Sequence, residues 1–251
     1  MVNFLSVVIP AFNEEKNLKG DNLREVFEYL KTQKYSWEVL IVDDGSTDTT
    51  VTLAEKFADS HKSFRVIKQP HRGKGRTVIS GMLEAKGEIV LFTDMDQATP
   101  IKELEKILPK FNQGFDIVIG SREGRKGANW IRILMAYGFM FLRTIILRLP
   151  FKDTQCGFKA FSRRVIEPIF ERMRVFGKNQ SISGSAVTAG FDLELLYIAR
   201  KLGYKIAEVP VEWSEKGTRG DFGVNPIKDS WEGFRDLIKV RINAIKGVYK
   251  T

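Results

Sequence analysis

Short apolar runs alternate with segments of helical periodicity over the first half of this chain. The runs cover residues 5–10, 37–43, 64–68, 88–93 and 115–120, and they are rich in Val, Ile, Leu and Phe. Runs of this length, bounded by polar residues or glycine, are typical of buried strands. Continuous apolar strands separated by helices predict an α/β fold, with a mainly parallel central sheet and helices on both of its faces.

The second half departs from this rhythm. Residues 129–149 are strongly apolar, whereas residues 191–203, 205–211 and 226–249 predict a helix, a strand and a long terminal helix. Residues 215–224 contain three glycines and predict a mobile loop. Because no repeat or linker interrupts the 251 residues, we expect residues 1–251 to form a single domain.

The charge is divided unevenly along the chain. Residues 1–120 carry 16 Lys/Arg and 18 Asp/Glu, whereas residues 121–251 carry 24 and 13, and the whole chain has a net charge of +9. A basic half of this kind predicts an anionic partner, either nucleic acid, phospholipid or a phosphate-bearing substrate; the alternative is a solvated Lys-rich surface. Cys156 is the single cysteine, which excludes an internal disulfide and favours a reducing compartment. We expect no leader peptide and a cytoplasmic location.

Acidic residues follow three of the predicted strands at the point where each strand ends. Glu14 follows the first, Asp43 and Asp44 end the second, and Asp94 and Asp96 end the fourth. The carboxyl ends of parallel strands lie along one edge of a sheet, so these side chains are expected to share one cleft. Asp94 and Asp96 supply the hard oxygen donors that Mg²⁺ or Mn²⁺ prefers, with a simple turn as the alternative. Asp43 suits a nucleotide N–H or ribose hydroxyl, although residues 43–46 also fit a turn and helix cap.

A basic glycine loop lies between the third strand and the next helix. Residues 72–76 read Arg-Gly-Lys-Gly-Arg, and Lys74 is placed to meet a diphosphate. The loop lacks the spacing of a P-loop, which argues against an ATPase. The alternative is a cationic loop that only begins a helix.

Four motifs in this order resemble the family 2 inverting glycosyltransferases, which have a GT-A fold. They are Val-Val-Ile-Pro-Ala-Phe-Asn-Glu-Glu at 7–15, Val-Asp-Asp-Gly-Ser-Thr-Asp at 42–48, Gly-Lys-Gly at 73–75 and Asp-Met-Asp at 94–96. Residues 120–122, 132–139, 153–159, 191–196 and 209–213 are similar to dolichyl-phosphate β-glucosyltransferases, with dolichyl-phosphate mannose synthases a close second. The resemblance covers nearly the whole chain. Residues 97–100 blend the glucosyl and mannosyl patterns, so UDP-glucose is the first donor expected and GDP-mannose the alternative.

The resemblance implies a donor half at residues 1–122 and an acceptor and membrane half at residues 123–251. Mg²⁺ or Mn²⁺ would bind Asp96, helped by Asp94. The nucleotide sugar would contact Pro10, Ala11, Glu14, Asp43, Asp44, Lys74, Asp94 and Gln97. The acceptor would be a polyprenyl (dolichyl) phosphate, whose oxygen attacks the anomeric carbon.

Because a phosphate is already ionised near neutral pH, such an acceptor needs no strong general base. Two arginines, Arg122 and Arg132, are the candidates for holding the acceptor phosphate. Asp153 would orient the acceptor or act as a base, and the alternative for Asp153 is a helix or turn cap. A family 2 transferase with a glycan or protein acceptor is a further alternative.

Two amphipathic segments predict contact with a membrane surface. Residues 130–145 and the terminal helix combine large apolar side chains with Arg and Lys, among them Arg143, which we expect to reach lipid headgroups. The longest uninterrupted apolar stretch, residues 133–142, is far short of the ~20 residues needed to span a bilayer. We therefore expect a peripheral protein, bound directly or through a separate membrane subunit; packing in the core or on a second subunit is the alternative. A non-catalytic anionic-lipid-binding module is the alternative of another class, and no motif predicts a nucleic-acid partner.

Overall fold

A computed structural model describes residues 2–122, 130–175, 189–214 and 226–249, with the backbone alone at 130–137, 189, 226–230 and 232. Its strands are β1 (Phe4–Ala11), β2 (Ser36–Asp43), β3 (Phe64–Lys68), β4 (Ile89–Phe92), β5 (Ile117–Arg122), β6 (Lys159–Ser162) and β7 (Ile206–Val211). Its helices are α1 (Glu15–Lys19), α2 (Asn22–Leu30), α3 (Thr50–Ser60), α4 (Lys74–Glu84), α5 (Leu104–Asn112), α6 (Trp130–Leu147), α7 (Arg163–Phe170), α8 (Ala189–Lys201) and α9 (Pro226–Ile245), with a 3₁₀ turn at Ile101–Glu103. All five strands predicted in the first half are present.

The seven described strands form one sheet in the order β3-β2-β1-β4-β6-β5-β7. Every pairing is parallel except those of β6, which runs antiparallel to both β4 and β5. The sheet is therefore mainly parallel, as predicted, and it combines strands from both halves of the chain. Strand β6 was not predicted from the sequence, because it has only four residues and begins with a charged lysine.

Helices cover both faces of the sheet, which explains the continuous apolar strands. On one face, Val8, Leu40 and Phe92 pack in a cluster with residues of α4, α7, α8 and α9. On the other face, Val7 and Ile41 pack in a second cluster with residues of α2, α3 and α5. The predicted α/β class and its arrangement are confirmed.

Two helix boundaries differ from the sequence expectation. The helical periodicity of residues 17–33 predicts one helix, but the structure divides this segment into α1 and α2 around Gly20. The sequence from Ser46 to Asp48 has the residue types that cap a helix. Only Asp48 does so: α3 begins at Thr50, and Asp48 Oδ1 accepts from Thr50 N at 2.9 Å, whereas Thr49 makes no side-chain cap bond. Ser46 and Thr47 instead bond to Asn13 in the loop after β1.

The two amphipathic segments form α6 and α9, which pack against each other. No helix in the described ranges is long and apolar enough to cross a membrane. The loop predicted at residues 215–224 lies outside the described residues.

Candidate active site

The acidic residues predicted from the strand ends meet along one edge of the sheet. Pro10 and Ala11, both buried, end β1 in register with Val42 and Asp43 of β2. After these strands the two loops remain joined, since Asp44 N donates to Ala11 O at 2.9 Å. The parallel-sheet rule therefore placed these segments correctly.

Glu14 belongs to this acidic cluster. Burial raises the pKa of Glu14 above its usual range, and the nearby carboxylates of Asp96 and Asp94 raise the pKa further, against a hydrogen bond from Asn17 that lowers it. Close carboxylates disfavour each other's ionisation. The cluster is thus arranged to receive positive charge.

Asp43 and Asp44 have different roles in the loops around the site. The buried carboxylate of Asp43 accepts hydrogen bonds from Gly45 N at 3.0 Å and Ser46 N at 3.2 Å, which fits the turn alternative. Asp44, also buried, accepts from Arg72 N and Gly73 N, both at 2.8 Å. Asp44 therefore holds the glycine loop, a link between two loops that the sequence analysis did not foresee. A carboxylate retains further acceptor positions, so a nucleotide contact stays a prediction for both residues.

The two glycines of the loop are needed for different geometric reasons. Gly73 has a φ of 86°, a left-handed conformation that glycine adopts without strain. Gly75 packs on α8, where an added Cβ would lie 2.8 Å from the Phe191 ring. Between them, Lys74 starts α4 and extends into the cluster of carboxylates.

Lys74 forms an ion pair with Asp94. Burial by itself lowers the pKa of Lys74, but Asp94, and then Asp192 and Asp96, outweigh burial, so the pKa is raised overall. The lysine is therefore a permanent positive charge among carboxylates. Its described partner is Asp94, and its contact with a diphosphate stays a prediction.

Gln97 has two unusual features for a residue beside a cleft. It adopts a left-handed conformation with a φ of 49°, and it is 1% exposed. Its Nε2 donates to Asp94 O at 2.8 Å, but its Oε1 is buried and has no hydrogen-bond partner among the described residues. Strained backbone and unsatisfied buried acceptors are concentrated at functional sites, so Gln97 is a strong candidate to accept a bond from a ligand hydroxyl or N–H.

The residues suited to a divalent cation are Asp96 and Asp94, with Glu14 beside them. One oxygen of Asp96 accepts from Ala98 N at 3.0 Å, which orients the carboxylate at the end of β4. The described residues contain no cluster of three or more His, Cys, Asp or Glu residues that would hold a metal by themselves. The donor set fits Mg²⁺ or Mn²⁺ bound by one or two carboxylates and completed by phosphate oxygens of a ligand.

Arg122 and Asp153 form a bidentate ion pair on the other side of the site. Arg122 Nε lies 2.6 Å from Asp153 Oδ2, and Nη2 lies 3.0 Å from Oδ1. Burial raises the pKa of Asp153, but Arg122 lowers it by more, so the carboxyl stays ionised well below neutral pH. Asp153 also accepts from Gln155 N at 3.0 Å, so the turn-cap alternative is partly correct. This geometry favours orientation of Arg122 over the general-base role for Asp153.

The guanidinium of Arg122 also lies 5.6 Å from the centroid of the Trp213 ring, a cation–π distance. Arg132 belongs to α6, but its side chain lies outside the described residues. The structure therefore shows the surroundings of Arg122 alone, and the role of both arginines in holding the acceptor phosphate stays a prediction.

A buried ion pair that was not predicted from the sequence joins Lys159 of β6 and Asp192 of α8. Lys159 is completely buried, and its Nζ lies 2.9 Å from Asp192 Oδ1 while also donating to Cys156 O. Burial raises the pKa of Asp192, and the charge of Asp192 in turn acts on Lys74. Asp192 belongs to the motif at residues 191–196, but the spacing of residues along the chain does not predict that it pairs with a lysine in β6.

Comparison with known proteins defines the class. The family model of glycosyl transferase family 2 matches residues 6–170, which include the acidic cluster, the glycine loop and the Arg122–Asp153 pair. The chain therefore belongs to glycosyltransferase family 2. Its relatives include dolichyl-phosphate β-glucosyltransferases. The chain is 33% identical to that of Dictyostelium discoideum, over 98% of this chain and 76% of the relative, and 34% identical to the human one, over 98% and 77%. The resemblance found in the sequence is confirmed.

The fold comparison agrees with this assignment. The structure is similar to glucosyl-3-phosphoglycerate synthase from Mycobacterium tuberculosis, which was solved with Mn²⁺, UDP and glucosyl-3-phosphoglycerate. The TM-score is 0.65 at 20% identity, over 95% of this chain and 80% of that one. The predicted GT-A fold is confirmed.

Proposed function

We propose that this protein transfers glucose from UDP-glucose to a polyprenyl phosphate of the dolichyl type, with inversion, at the cytoplasmic face of a membrane. The reaction and acceptor follow from the relatives, whose names specify both the sugar and dolichyl phosphate. GDP-mannose is the alternative donor, because residues 97–100 blend the two patterns.

One structural observation carries this proposal: residues 153–157 join the two sides of the site. Asp153 pairs with Arg122, and four residues later Gly157 lies directly against Asp94. Four residues of extended chain span at most about 14 Å, so an anion held by Arg122 lies within reach of a sugar held beside Asp94. Bringing an anionic acceptor close to a donor diphosphate is the main task of such an enzyme.

On the donor side, the chain supplies both neutralising and orienting groups. Asp96 and Asp94 would hold Mg²⁺ or Mn²⁺, which when bound would neutralise the leaving diphosphate. Lys74 adds a positive charge beside the same group. Gln97 Oε1, which has no partner among the described residues, accepts a hydrogen bond from a hydroxyl or N–H of the nucleotide sugar. Glu14 completes the negative cluster that attracts the cation.

On the acceptor side, Arg122 binds the phosphate of the polyprenyl phosphate. Asp153, ionised and bidentate, fixes the plane of the guanidinium and leaves its remaining N–H groups for the phosphate. The acceptor oxygen is already anionic, so the reaction needs no proton transfer to Asp153. Arg132 is proposed as the second phosphate ligand.

Helix α9 presents the features of a helix that lies on a membrane surface. Trp231, Ile242 and Ile245 are 66, 44 and 71% exposed. At about 100° per residue they fall within about 60° of one another, so they form one apolar stripe. Exposed Lys239 and Arg241 flank that stripe on opposite sides.

An apolar stripe flanked by cations matches an anionic lipid surface in both shape and charge. The opposite face of α9, with Leu237 and Val240, is buried against the protein. We therefore propose that α9 and the adjoining α6 contact the lipid surface in which the acceptor resides. A second copy of the chain covering this stripe would appear instead as a dimer in solution.

The proposed reaction is tested by incubating the protein with Mg²⁺ or Mn²⁺, vesicles containing polyprenyl phosphate, and labelled UDP-glucose or GDP-mannose in parallel. Label should move from UDP-glucose into the lipid fraction. Asp96→Asn should abolish transfer, whereas the control Asp59→Asn, on the exposed end of α3, should not. Transfer from GDP-mannose alone would show that the donor is GDP-mannose and not UDP-glucose. Vesicle binding without transfer from either donor would favour the non-catalytic lipid-binding module.

A further inference from the structure

Helix α6 has two opposite faces with different environments. Phe141, Leu142 and Ile145 are exposed, and at about 100° per residue they lie within an arc of about 100°. Arg143 and Leu147 project on the opposite side of the helix and are buried. The prediction that Arg143 reaches lipid headgroups is wrong: its side chain is 3% exposed and lies inside the protein.

Arg143 is bound to the loop that carries Asp153. Its Nη1 donates to Thr154 Oγ1 at 2.9 Å, and its Nη2 donates to Phe151 O. Its Nε is buried and has no partner among the described residues, and burial lowers the pKa of the guanidinium. A buried cation is costly unless it is satisfied by specific partners, so two bonds to one short loop indicate a positional role.

The same loop is held from its other side by the sheet. Glu208 of β7 accepts from Lys152 N at 2.9 Å and from Asp153 N at 2.7 Å. Residues 151–154 are therefore fixed between α6 and β7. Asp153, within that loop, in turn fixes the guanidinium of Arg122.

We propose that Arg143 is a positioning residue that ties the lipid-facing helix α6 to the acceptor-phosphate site. Contacts run without a gap from the exposed face of α6 through Arg143 to the 151–154 loop, and from Asp153 to Arg122. The helix and its side chains are about 10–12 Å thick. Arg143 thus sets how far the Arg122–Asp153 pair lies from the lipid surface, which is where the phosphate of a membrane-embedded acceptor is confined.

This inference rests on the proposed function. It predicts a difference between a soluble and a membrane-embedded acceptor, which a purely structural role of Arg143 would not produce. A short, water-soluble polyprenyl phosphate can diffuse to the site wherever Arg122 lies. A long-chain polyprenyl phosphate in a vesicle cannot, because its tail holds the phosphate at the surface. Displacing the loop relative to α6 should therefore impair the embedded acceptor more than the soluble one.

The test compares Arg143→Gln and Arg143→Lys with the wild type on both acceptors. Misplacement by about 1 Å can cost about a hundredfold in rate, so Arg143→Gln should lower kcat/KM for the embedded acceptor at least about tenfold more than for the soluble one. Arg143→Lys should recover part of the loss, and the Kd for UDP-glucose should not change. Arg164→Gln, which removes an arginine of α7 that pairs with Asp116, is the control and should affect both acceptors equally.

Hydrogen exchange gives a second readout that does not depend on turnover. The amides of Lys152 and Asp153 should exchange faster in Arg143→Gln, whereas those of β1 and β4 should not. Equal losses on both acceptors, or unchanged exchange in the loop, would overturn the positioning role while leaving the transferase intact. A wild type that transfers glucose to neither acceptor would instead overturn the proposed function and this inference with it.

Discussion

Gly157 lies so close to Asp94 that a Cβ atom added at residue 157 would fall 2.1 Å from Asp94 Oδ2. Gly157 does not have a positive φ. A glycine is therefore needed at this position because there is no space for a side chain, and not because of the backbone conformation. The backbone of this segment therefore forms a wall of the site. Because Asp153 is only four residues away, the same segment sets the separation between Arg122 and the donor-side carboxylates.

Gly157→Ala should lower kcat/KM by about a hundredfold, because Asp94 or the 153–157 segment must move by more than an ångström. Steady-state transfer assays and thermal unfolding would measure the effect. The matched control is Gly138→Ala in α6, where an added Cβ meets no atom of the described residues within 4 Å. Wild-type activity in Gly157→Ala would show that the position of Asp94 is not critical for transfer.

Glu14→Gln should make the protein more stable at neutral pH while impairing its donor affinity. The pKa of Glu14 is raised by burial and then by Asp96 and Asp94. A raised pKa in the folded state means that stability is fully present below the unfolded value of 4.5 and is lost as pH rises through the folded value. The variant lacks that loss, so its advantage in Tm should appear above pH 4.5 and grow until Glu14 is ionised in the folded wild type.

Two measurements check this prediction. Thermal unfolding at pH 4 and pH 7.5, without metal, should give similar Tm values for the two proteins at the lower pH and a higher Tm for the variant at the upper pH. Titration with UDP-glucose and Mn²⁺ should show weaker binding by Glu14→Gln, because the cation loses one nearby negative charge. Equal Tm differences at both pH values would mean that ionisation of Glu14 does not cause the effect.

The strand ends show what the sequence determines. The positions of Glu14, Asp43, Asp94 and Asp96 followed from one rule, that parallel strands carry their ligand sites at their carboxyl ends. The rule needs only the order of apolar runs and acidic residues, both of which are local in sequence. The fold class and the convergence of this cluster were therefore predictable.

The remaining features depend on contacts between distant segments. Lys159 pairs with Asp192 of α8. Lys159 lies in β6, an antiparallel strand whose short sequence has no periodicity that would predict a strand. Arg143 interrupts an apolar stripe just as a surface arginine would, and only the position of the 151–154 loop shows that it is buried. The closeness of Gly157 to Asp94 likewise needs the register of β6 beside β4. Side-chain partners across the fold are not encoded in local pattern.

Asp153→Asn should lower kcat/KM for the acceptor by about tenfold or more, and it should act through Arg122. If so, the effects of Asp153→Asn and Arg122→Lys will not add, and the double variant should resemble the more impaired single variant. Additive losses in this double-mutant cycle would assign Asp153 a separate role, such as that of a base.

The stability of the same variant gives an independent pH dependence. Arg122 outweighs burial and lowers the pKa of Asp153 below its usual value of 3.8. A lowered pKa contributes stability that is present above 3.8 and lost as pH falls through the folded value. The Tm of Asp153→Asn should therefore be lower than that of the wild type at pH 7, and the difference should shrink below about pH 4. A difference that does not change with pH would exclude the ion pair as its source.

Replacing Trp231, Ile242 and Ile245 together by serine should reduce binding to vesicles that contain anionic lipid, because each of these exposed side chains loses the apolar surface that it would bury. Co-sedimentation with vesicles measures the effect, and binding of the wild type should weaken as salt rises, since Lys239 and Arg241 flank the stripe. Leu83→Ser is the control, because Leu83 is 43% exposed on α4 instead.

Transfer to a short, water-soluble acceptor should survive the triple change. Unchanged vesicle binding in the triple variant, together with a shift from dimer to monomer, would identify the stripe as a subunit interface.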